Sequence, residues 1–167
     1  MSDASESIKK QALADFAEYV NPMKVRTLKS AGIDIIEEKR EGACTWDITG
    51  KRYIDCQTGS GIMNVGRCNQ EIAAALRRAL DTYDMGVFLL CSRQKADLAK
   101  KLAEIAPGRD LRGVIFGAGG GEANDAAIKI ARGFTMRPGI VYTEKAYHGH
   151  TGFSLSAIGR EAYREPF

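Results

Sequence analysis

The sequence is poor in the residues that build metal sites, disulfide frameworks and membrane spans. It has two histidines and four cysteines in 167 residues, and the cysteines form neither a CxxC pair nor a zinc-type spacing. His148 and His150 stand one residue apart, but no third histidine exists to complete a site, so we expect no metal. The longest apolar run, residues 85–91, is far shorter than the roughly 20 residues that a membrane helix needs.

The cysteines at positions 44, 56, 68 and 91 also indicate where the protein works. Free thiols are typical of a reducing compartment. Residues 2–6 lack the charged and apolar regions of a signal peptide. We therefore expect a cytoplasmic protein without a membrane partner.

The charge pattern does not favour a nucleic-acid partner. The net charge is +3, and the basic pairs Lys9-Lys10, Arg77-Arg78 and Lys100-Lys101 are dispersed along the chain. Such pairs are typical of solvated helix faces rather than of a phosphate-binding stripe. The apolar content of 44% indicates a globular chain with a core of its own.

A glycine-rich loop at residues 117–121 separates an apolar run from an alanine-rich helical segment. The run at 113–116 predicts a buried strand, and the spacing of apolar residues over 123–134 predicts an amphipathic helix. Backbone N–H groups and the helix dipole favour an anion at such a helix start, and glycine permits its close approach. The loop therefore points to a phosphate-bearing ligand. A tight turn without a ligand is the alternative interpretation.

A second cluster of polar and aromatic residues follows about thirty residues later. Residues 140–142 predict the next strand, and residues 147–152 read Tyr-His-Gly-His-Thr-Gly. Loops beyond the carboxyl ends of parallel strands are where α/β proteins bind ligands. A phosphate cradle, an aromatic face and an imidazole together suit a flat heteroaromatic phosphate. Glu122, Asn124 and Asp125 are expected to organise the first turn of the helix, where carboxylates suit the dipole.

The remaining chain predicts helices around a small antiparallel sheet. An N-terminal amphipathic helix is closed by Asn21-Pro22, and residues 33–55 predict two or three short strands with a turn at 47–50. Asn69 and Ser92 are good N-caps for two further helices, and the second should point Leu98, Leu102 and Ile105 inward. A βαβ unit at residues 111–143 follows.

These motifs together resemble the class III aminotransferases, which use pyridoxal phosphate. The resemblance is carried by Gly-Gly-Gly-Glu-Ala-Asn at 119–124, Tyr-His-Gly at 147–149, the hairpin segment at 46–55, and the glycine-rich stretch at 59–66. The motifs follow the order of the family and extend over nearly the whole chain from about Asn21. Three positions depart from it: Gly119 stands where the family usually has serine, Gly121 where it has a hydroxyl residue or alanine, and Arg67 where it often has histidine.

The resemblance implies a fold. It is the N-terminal portion of the aspartate-aminotransferase-like, fold type I α/β architecture. Residues 1–58 would form an N-terminal helix and a small antiparallel hairpin segment. Residues 59–167 would form the first, incomplete part of the large cofactor domain, with the start of a mainly parallel sheet.

The resemblance also implies the site. Backbone N–H groups of Gly120 and Gly121 would hold the cofactor phosphate, Tyr147 would stack on the ring, and His148 would lie beside it. The Schiff-base lysine would lie outside this chain, so no catalytic residue is assigned here. The expected function is a transferase that moves an amino group between an amino acid or ω-amine and a keto acid. The expected assembly is a homo-oligomer or a complex with a chain that carries the rest of the enzyme.

Two other functions remain open. One is a non-catalytic or split subunit of such an enzyme. The other is a dinucleotide-binding protein of Rossmann type, which Gly117, Gly119 and Glu144 support to some degree. Against it, the third glycine of that fingerprint would fall on Glu122, whose carboxylate would repel a pyrophosphate.

We predict that this chain alone shows no transaminase turnover, because none of its lysines stands in the family's catalytic context. Borohydride reduction after addition of pyridoxal phosphate should leave no stoichiometric pyridoxyl-lysine, which peptide mass spectrometry measures. A single stoichiometric label on Lys129 or Lys145 would overturn this prediction.

Overall fold

The computed structural model describes residues 3–84, 89–108 and 110–166. Contacts divide the chain into two compact units, Met1–Gly86 and Val87–Phe167, which we describe separately. The predicted division into residues 1–58 and 59–167 refers to domains of the complete fold, so it stays a prediction.

The first unit begins with two packed helices. Helix α1 spans Asp3–Tyr19 and helix α2 spans Pro22–Ser30. Asn21 caps α2, since its side-chain oxygen accepts the Lys24 N–H at 2.9 Å. The Asn-Pro pair therefore ends one helix, as predicted, and also begins a second helix that was not expected from the sequence. Leu13 and Val25 are buried and belong to the small apolar core of the described chain.

A three-stranded antiparallel sheet follows, which confirms the strands predicted over residues 33–55. Strand β1 spans Glu37–Glu41, β2 spans Cys44–Asp47 and β3 spans Arg52–Ile54, in the order β1-β2-β3. Thr45 in β2 lies opposite Arg40 in β1 on one side and Tyr53 in β3 on the other.

The Asp47 carboxylate organises the turn between β2 and β3. One oxygen accepts the Thr49 N–H at 2.9 Å, the Thr49 hydroxyl at 2.6 Å and the Lys51 N–H at 3.1 Å. The other oxygen accepts the Tyr53 hydroxyl at 2.8 Å. These donors favour the ionised form, the Thr49 hydroxyl most of all, and lower the pKa of Asp47 to about 2.

The first unit ends with a short turn and a longer helix. Element α3 spans Thr58–Gly61, and helix α4 spans Gln70–Leu80. Asn69 caps α4 as predicted, since its side-chain oxygen accepts the N–H groups of Glu71 and Ile72 at 3.0 and 3.2 Å.

Four helices shape the described part of the second unit. Helix α5 spans Arg93–Ile105, α6 spans Gly120–Thr135, α7 spans Gly152–Ser156 and α8 spans Glu161–Arg164. The Ser92 hydroxyl caps α5 as predicted, accepting the Lys95 N–H at 3.3 Å. Helix α7 packs on α6 and on α8, and Ser154, Ala157 and Ile158 are buried there.

The two strands predicted around the glycine loop carry no strand hydrogen bonds in the described residues. Residues 113–116 and 140–142 pair neither with each other nor with another described segment, and β1 to β3 form the sheet. Ile115 is 64% exposed and Val141 is fully exposed. A strand exists only through a neighbour that takes up its N–H and C=O groups, and no described residue supplies one.

The apolar faces of α4 and α5 are exposed, which corrects the predicted inward orientation of Leu98, Leu102 and Ile105. These three side chains are 50%, 39% and 65% exposed, and Ile72 and Leu76 on α4 are similarly open. The chain presents 13879 Å² of surface, against about 9,800 Å² for two separately folded units of half its mass. No described segment packs over these faces.

Part of the apolar segment 85–91 lies outside the described residues, namely 85–88. Leu89 and Leu90, which are described, are exposed. Among the helices that the structure describes, none combines the length and apolar character needed to cross a membrane.

We predict that acid weakens the β2–β3 hairpin through Asp47. Its folded pKa of about 2 lies below the ordinary 3.8, so the stabilisation is complete above pH 4 and is lost as the pH falls toward 2. Urea unfolding followed by fluorescence of Trp46, the single tryptophan, measures this loss. Asp47→Asn should lose less stability on acidification than the wild type.

Glu38→Gln on the exposed strand β1 is the control and should behave like the wild type. Equal acid sensitivity of Asp47→Asn and the wild type would contradict the assignment to Asp47.

Candidate functional site

The N-terminus of α6 is open to an anion. Gly119 is the N-cap residue, and no side chain among the described residues caps this helix. The first-turn N–H groups, beginning with Gly120 and Gly121, therefore have no acceptor within the helix. The Glu122 carboxylate accepts the Ala118 N–H and so closes the glycine loop on itself. The dipole and these N–H groups favour a bound anion beside Gly120.

Two glycines bring the segment 147–152 onto the first turn of α6. A Cβ added to Gly149 would lie 2.5 Å from the Gly121 Cα, and one added to Gly121 would lie 2.9 Å from the Thr151 Oγ1. Gly149 also has φ +126°, which side chains rarely adopt. Gly120 differs, because a Cβ there would meet no atom of the described residues within 4 Å. The open space thus lies on the Gly120 side of the turn, and Gly121 is used for packing.

Polar side chains of α6 fasten the same segment. The Asn124 side-chain amide donates to the His148 carbonyl at 2.7 Å. The Asp125 Oδ1 accepts the Ser154 N–H at 2.7 Å and lies 2.6 Å from the Ser154 hydroxyl. That hydroxyl also lies 2.7 Å from the Gly121 carbonyl. Donation by Ser154, first of all from its hydroxyl, lowers the pKa of the Asp125 carboxyl.

These contacts correct the role expected of two residues. Glu122 stays within the loop and first turn, as predicted. Asn124 and Asp125 instead reach a segment 24 and 29 residues further along the chain. Ser154, fully buried, was missed altogether, since an isolated serine gives no pattern that distinguishes it from a surface residue.

An edge-to-face row of three rings begins at Tyr147. The centroid of its ring lies 5.3 Å from that of His150, which lies 5.5 Å from that of Tyr163. The interplanar angles of 70° and 75° are favourable for aromatic contacts. Tyr147 is 65% exposed, so much of its ring is still available for contact. Lys145 and Arg160 join these rings around a cavity of about 240 Å³.

A backbone crossing closes the segment that carries Tyr147 and His150, the first two rings of this row. Gly159 donates its N–H to the Ala146 carbonyl at 3.0 Å. A Cβ on Gly159 would overlap the Glu144 carbonyl. Residues 146–159 therefore form a closed loop whose two ends touch.

The structure thus brings together the segments that carry all four predicted site residues. Gly120 and Gly121 begin α6. Gly149, which touches Gly121, directly follows His148 and Tyr147. The arrangement places phosphate-type donors, an aromatic ring and a partly buried imidazole on two adjoining segments.

In the first unit, the glycine-rich stretch at residues 59–66 is held at its base by an ion pair. Arg67 Nε lies 2.5 Å from Asp55 Oδ2, and the Arg67 backbone pairs with Gly42. This guanidinium is the main cause that lowers the pKa of Asp55. The residues of α3 all have positive φ, from 50° to 87°. For Thr58 and Ser60 this conformation costs about 1–2 kcal/mol each.

The family model described as "Aminotransferase class-III" matches residues 27–167. The chain belongs to the class III aminotransferases. An "Uncharacterized aminotransferase" of Archaeoglobus fulgidus is 46% identical over 95% of this chain, and an acetylornithine aminotransferase of Methanothermobacter thermautotrophicus is 35% identical over 80%. The matches cover 37% and 33% of those relatives, so the chain spans about a third of their length.

Solved structures give the same result for the fold. An (S)-enantioselective omega-transaminase from Thermomicrobium roseum superposes with a TM-score of 0.76 at 33% identity, covering 100% of this chain and 38% of that one. A taurine:2-oxoglutarate aminotransferase from Bifidobacterium kashiwanohense, solved with PLP and glutamate, gives 0.74 at 32% identity over 79% of this chain and 29% of that one. The predicted family and the α/β fold class, as the N-terminal portion of fold type I, are confirmed.

Proposed function

We propose that this aminotransferase chain supplies the phosphate-binding and ring-stacking part of a pyridoxal phosphate site. The enzyme would move an amino group from an amino acid or ω-amine to a keto acid in the cytoplasm. One observation carries the proposal: the uncapped start of α6 lies against the segment that carries Tyr147 and His148. The family match and the transaminase neighbours support it.

The residues present fit pyridoxal phosphate. A phosphate needs N–H donors and room, and the first turn of α6 offers both beside Gly120, where a Cβ would meet no described atom within 4 Å. The nearby Glu122 carboxylate is already engaged with Ala118. A flat ring needs an exposed aromatic face, and Tyr147 has one.

The chemistry divides between cofactor and protein. Pyridoxal phosphate, when bound, supplies the electron sink that stabilises the carbanion formed at the substrate carbon. In this chain, the Gly120 and Gly121 N–H groups would bind the phosphate, and Tyr147 would pack on the ring and fix its plane. His148 would lie beside the ring, its carbonyl held by Asn124. We assign no proton transfer to this chain, since its lysines lack the family context.

The substrate proposal rests on the relatives. They are described as aminotransferases of acetylornithine, 4-aminobutyrate, putrescine and taurine. Each of these substrates carries an amino group at the end of a short chain, and some of them are amino acids. An amino acid or ω-amine donor with a keto acid acceptor is therefore the substrate class proposed here. The family match favours this reading over the dinucleotide-binding alternative.

We predict that Gly120→Asp weakens pyridoxal phosphate binding in the assembled enzyme by at least about a hundredfold, because a carboxylate would face the phosphate at close range. The same substitution should leave α6 stable or slightly more stable, since a carboxylate suits a helix N-terminus. Spectrophotometric titration measures affinity, and thermal unfolding measures stability.

Gly120→Asn is the matched control, since it has the same shape without the charge, and it should lose much less affinity. If Gly120→Asp kept the wild-type affinity, the glycine run would be a turn and the phosphate would lie elsewhere.

We also predict association. The apolar faces of α4 and α5 and the exposed Leu89-Leu90 pair are surfaces of the kind that mark interfaces. We expect a homo-oligomer, or a complex with a chain that carries the rest of the enzyme. Light scattering at micromolar concentration measures the mass. A stable monomer of 18.2 kDa would contradict the prediction.

A further inference from the structure

We infer that Asp125 is a positioning residue that holds the segment from Tyr147 to Ser154 against the phosphate-binding turn of α6. The inference rests on the proposed function, because it concerns how the two halves of that site are kept together. Nothing in the sequence pattern of α6 distinguishes Asp125 from the first-turn residues around it.

The carboxylate of Asp125 is surrounded by donors from the far segment. Its Oδ1 accepts the Ser154 N–H at 2.7 Å and lies 2.6 Å from the Ser154 hydroxyl. The neighbouring Thr151 side chain and Phe153 backbone also contribute to the lowered pKa of this carboxyl. Because an ionised carboxylate accepts and never donates, it suits every one of these partners. An asparagine would turn a donor toward some of them.

The Ser154 hydroxyl also links the segment to the glycine turn at the start of α6. It carries one proton and has two acceptors in reach, the Asp125 carboxylate and the Gly121 carbonyl. Both acceptors belong to the first two turns of α6. Ser154 is fully buried, so water does not compete for these contacts. Whichever acceptor takes the proton, the hydroxyl ties α7 to the turn that would bind the phosphate.

Asn124 and Asp125 bind the segment on either side of the contact between Gly121 and Gly149. Asn124 holds the His148 carbonyl, one residue before Gly149, and Asp125 holds Ser154, five residues after it. Gly121 and Gly149 have no side chains of their own, and no backbone hydrogen bond joins the two among the described residues. Loss of the carboxylate would therefore let this contact open, and Tyr147 would move relative to Gly120.

The test compares Asp125→Asn with Ser154→Ala and with Asp97→Asn. Asp97 lies on the exposed face of α5 in an ion pair with Arg93, so its variant controls for loss of one charge. Pyridoxal phosphate affinity is measured in the assembled enzyme well below its melting temperature. Visible circular dichroism of the bound cofactor reports how firmly its ring is held. Amide hydrogen exchange on the cofactor-free protein reports the order of residues 148–154.

We expect Asp125→Asn to bind pyridoxal phosphate about tenfold more weakly, as for loss of hydrogen bonds to a charged group. Its visible dichroism should fall, and amides 148–154 should exchange faster. Ser154→Ala should show a smaller change in each measurement. The double variant should be less than additive, because the two residues share one network. Asp97→Asn should match the wild type throughout.

The outcomes separate the inference from the proposed function. If the wild-type enzyme does not bind pyridoxal phosphate, both fail. If the wild type binds it and Asp125→Asn binds equally well with unchanged dichroism, the inference alone fails. A lower melting temperature in Asp125→Asn with unchanged affinity and dichroism would show a purely structural role and would also overturn the inference.

Discussion

The contact between Gly121 and Gly149 is the constraint on which the candidate site depends. The two backbones approach so closely that a Cβ on Gly149 would lie 2.5 Å from the Gly121 Cα. Without it, the uncapped helix start and the segment carrying Tyr147 would be separate surface features. With it, residues 28 positions apart in sequence share one site, and the hydrogen bonds of Asn124, Asp125 and Ser154 follow from the proximity that the two glycines permit.

Features set by neighbouring residues could be predicted from the sequence. The N-caps Asn69 and Ser92 were found because a capping side chain acts on the next turn of its own chain. The antiparallel strands and the turn at Asp47 were found for the same reason. Helix α2 also has a local signal, because Asn21 is its N-cap and Pro22 lies in its first turn. From the sequence, this pair was interpreted only as the end of the preceding helix.

Features that need distant partners could not be predicted. Asp125 looked like a first-turn carboxylate, because the donors that engage it lie near Ser154, far along the chain. Apolar spacing on α5 correctly indicated a helix with an apolar side, but spacing does not say what covers that side. The run at 113–116 has strand composition, yet composition cannot supply the neighbouring strand that would make it one.

The crossing of Gly159 over residues 144–146 has a consequence for engineering this family. The ends of this loop meet through a backbone hydrogen bond, so that closure does not depend on a particular side chain. An exchange of residues between 146 and 159 with those of a relative would have to keep Gly149 and Ser154, because these two residues contact Gly121 and Asp125. The splice points are fixed, since a side chain at position 159 would overlap the Glu144 carbonyl and spread the base of the loop.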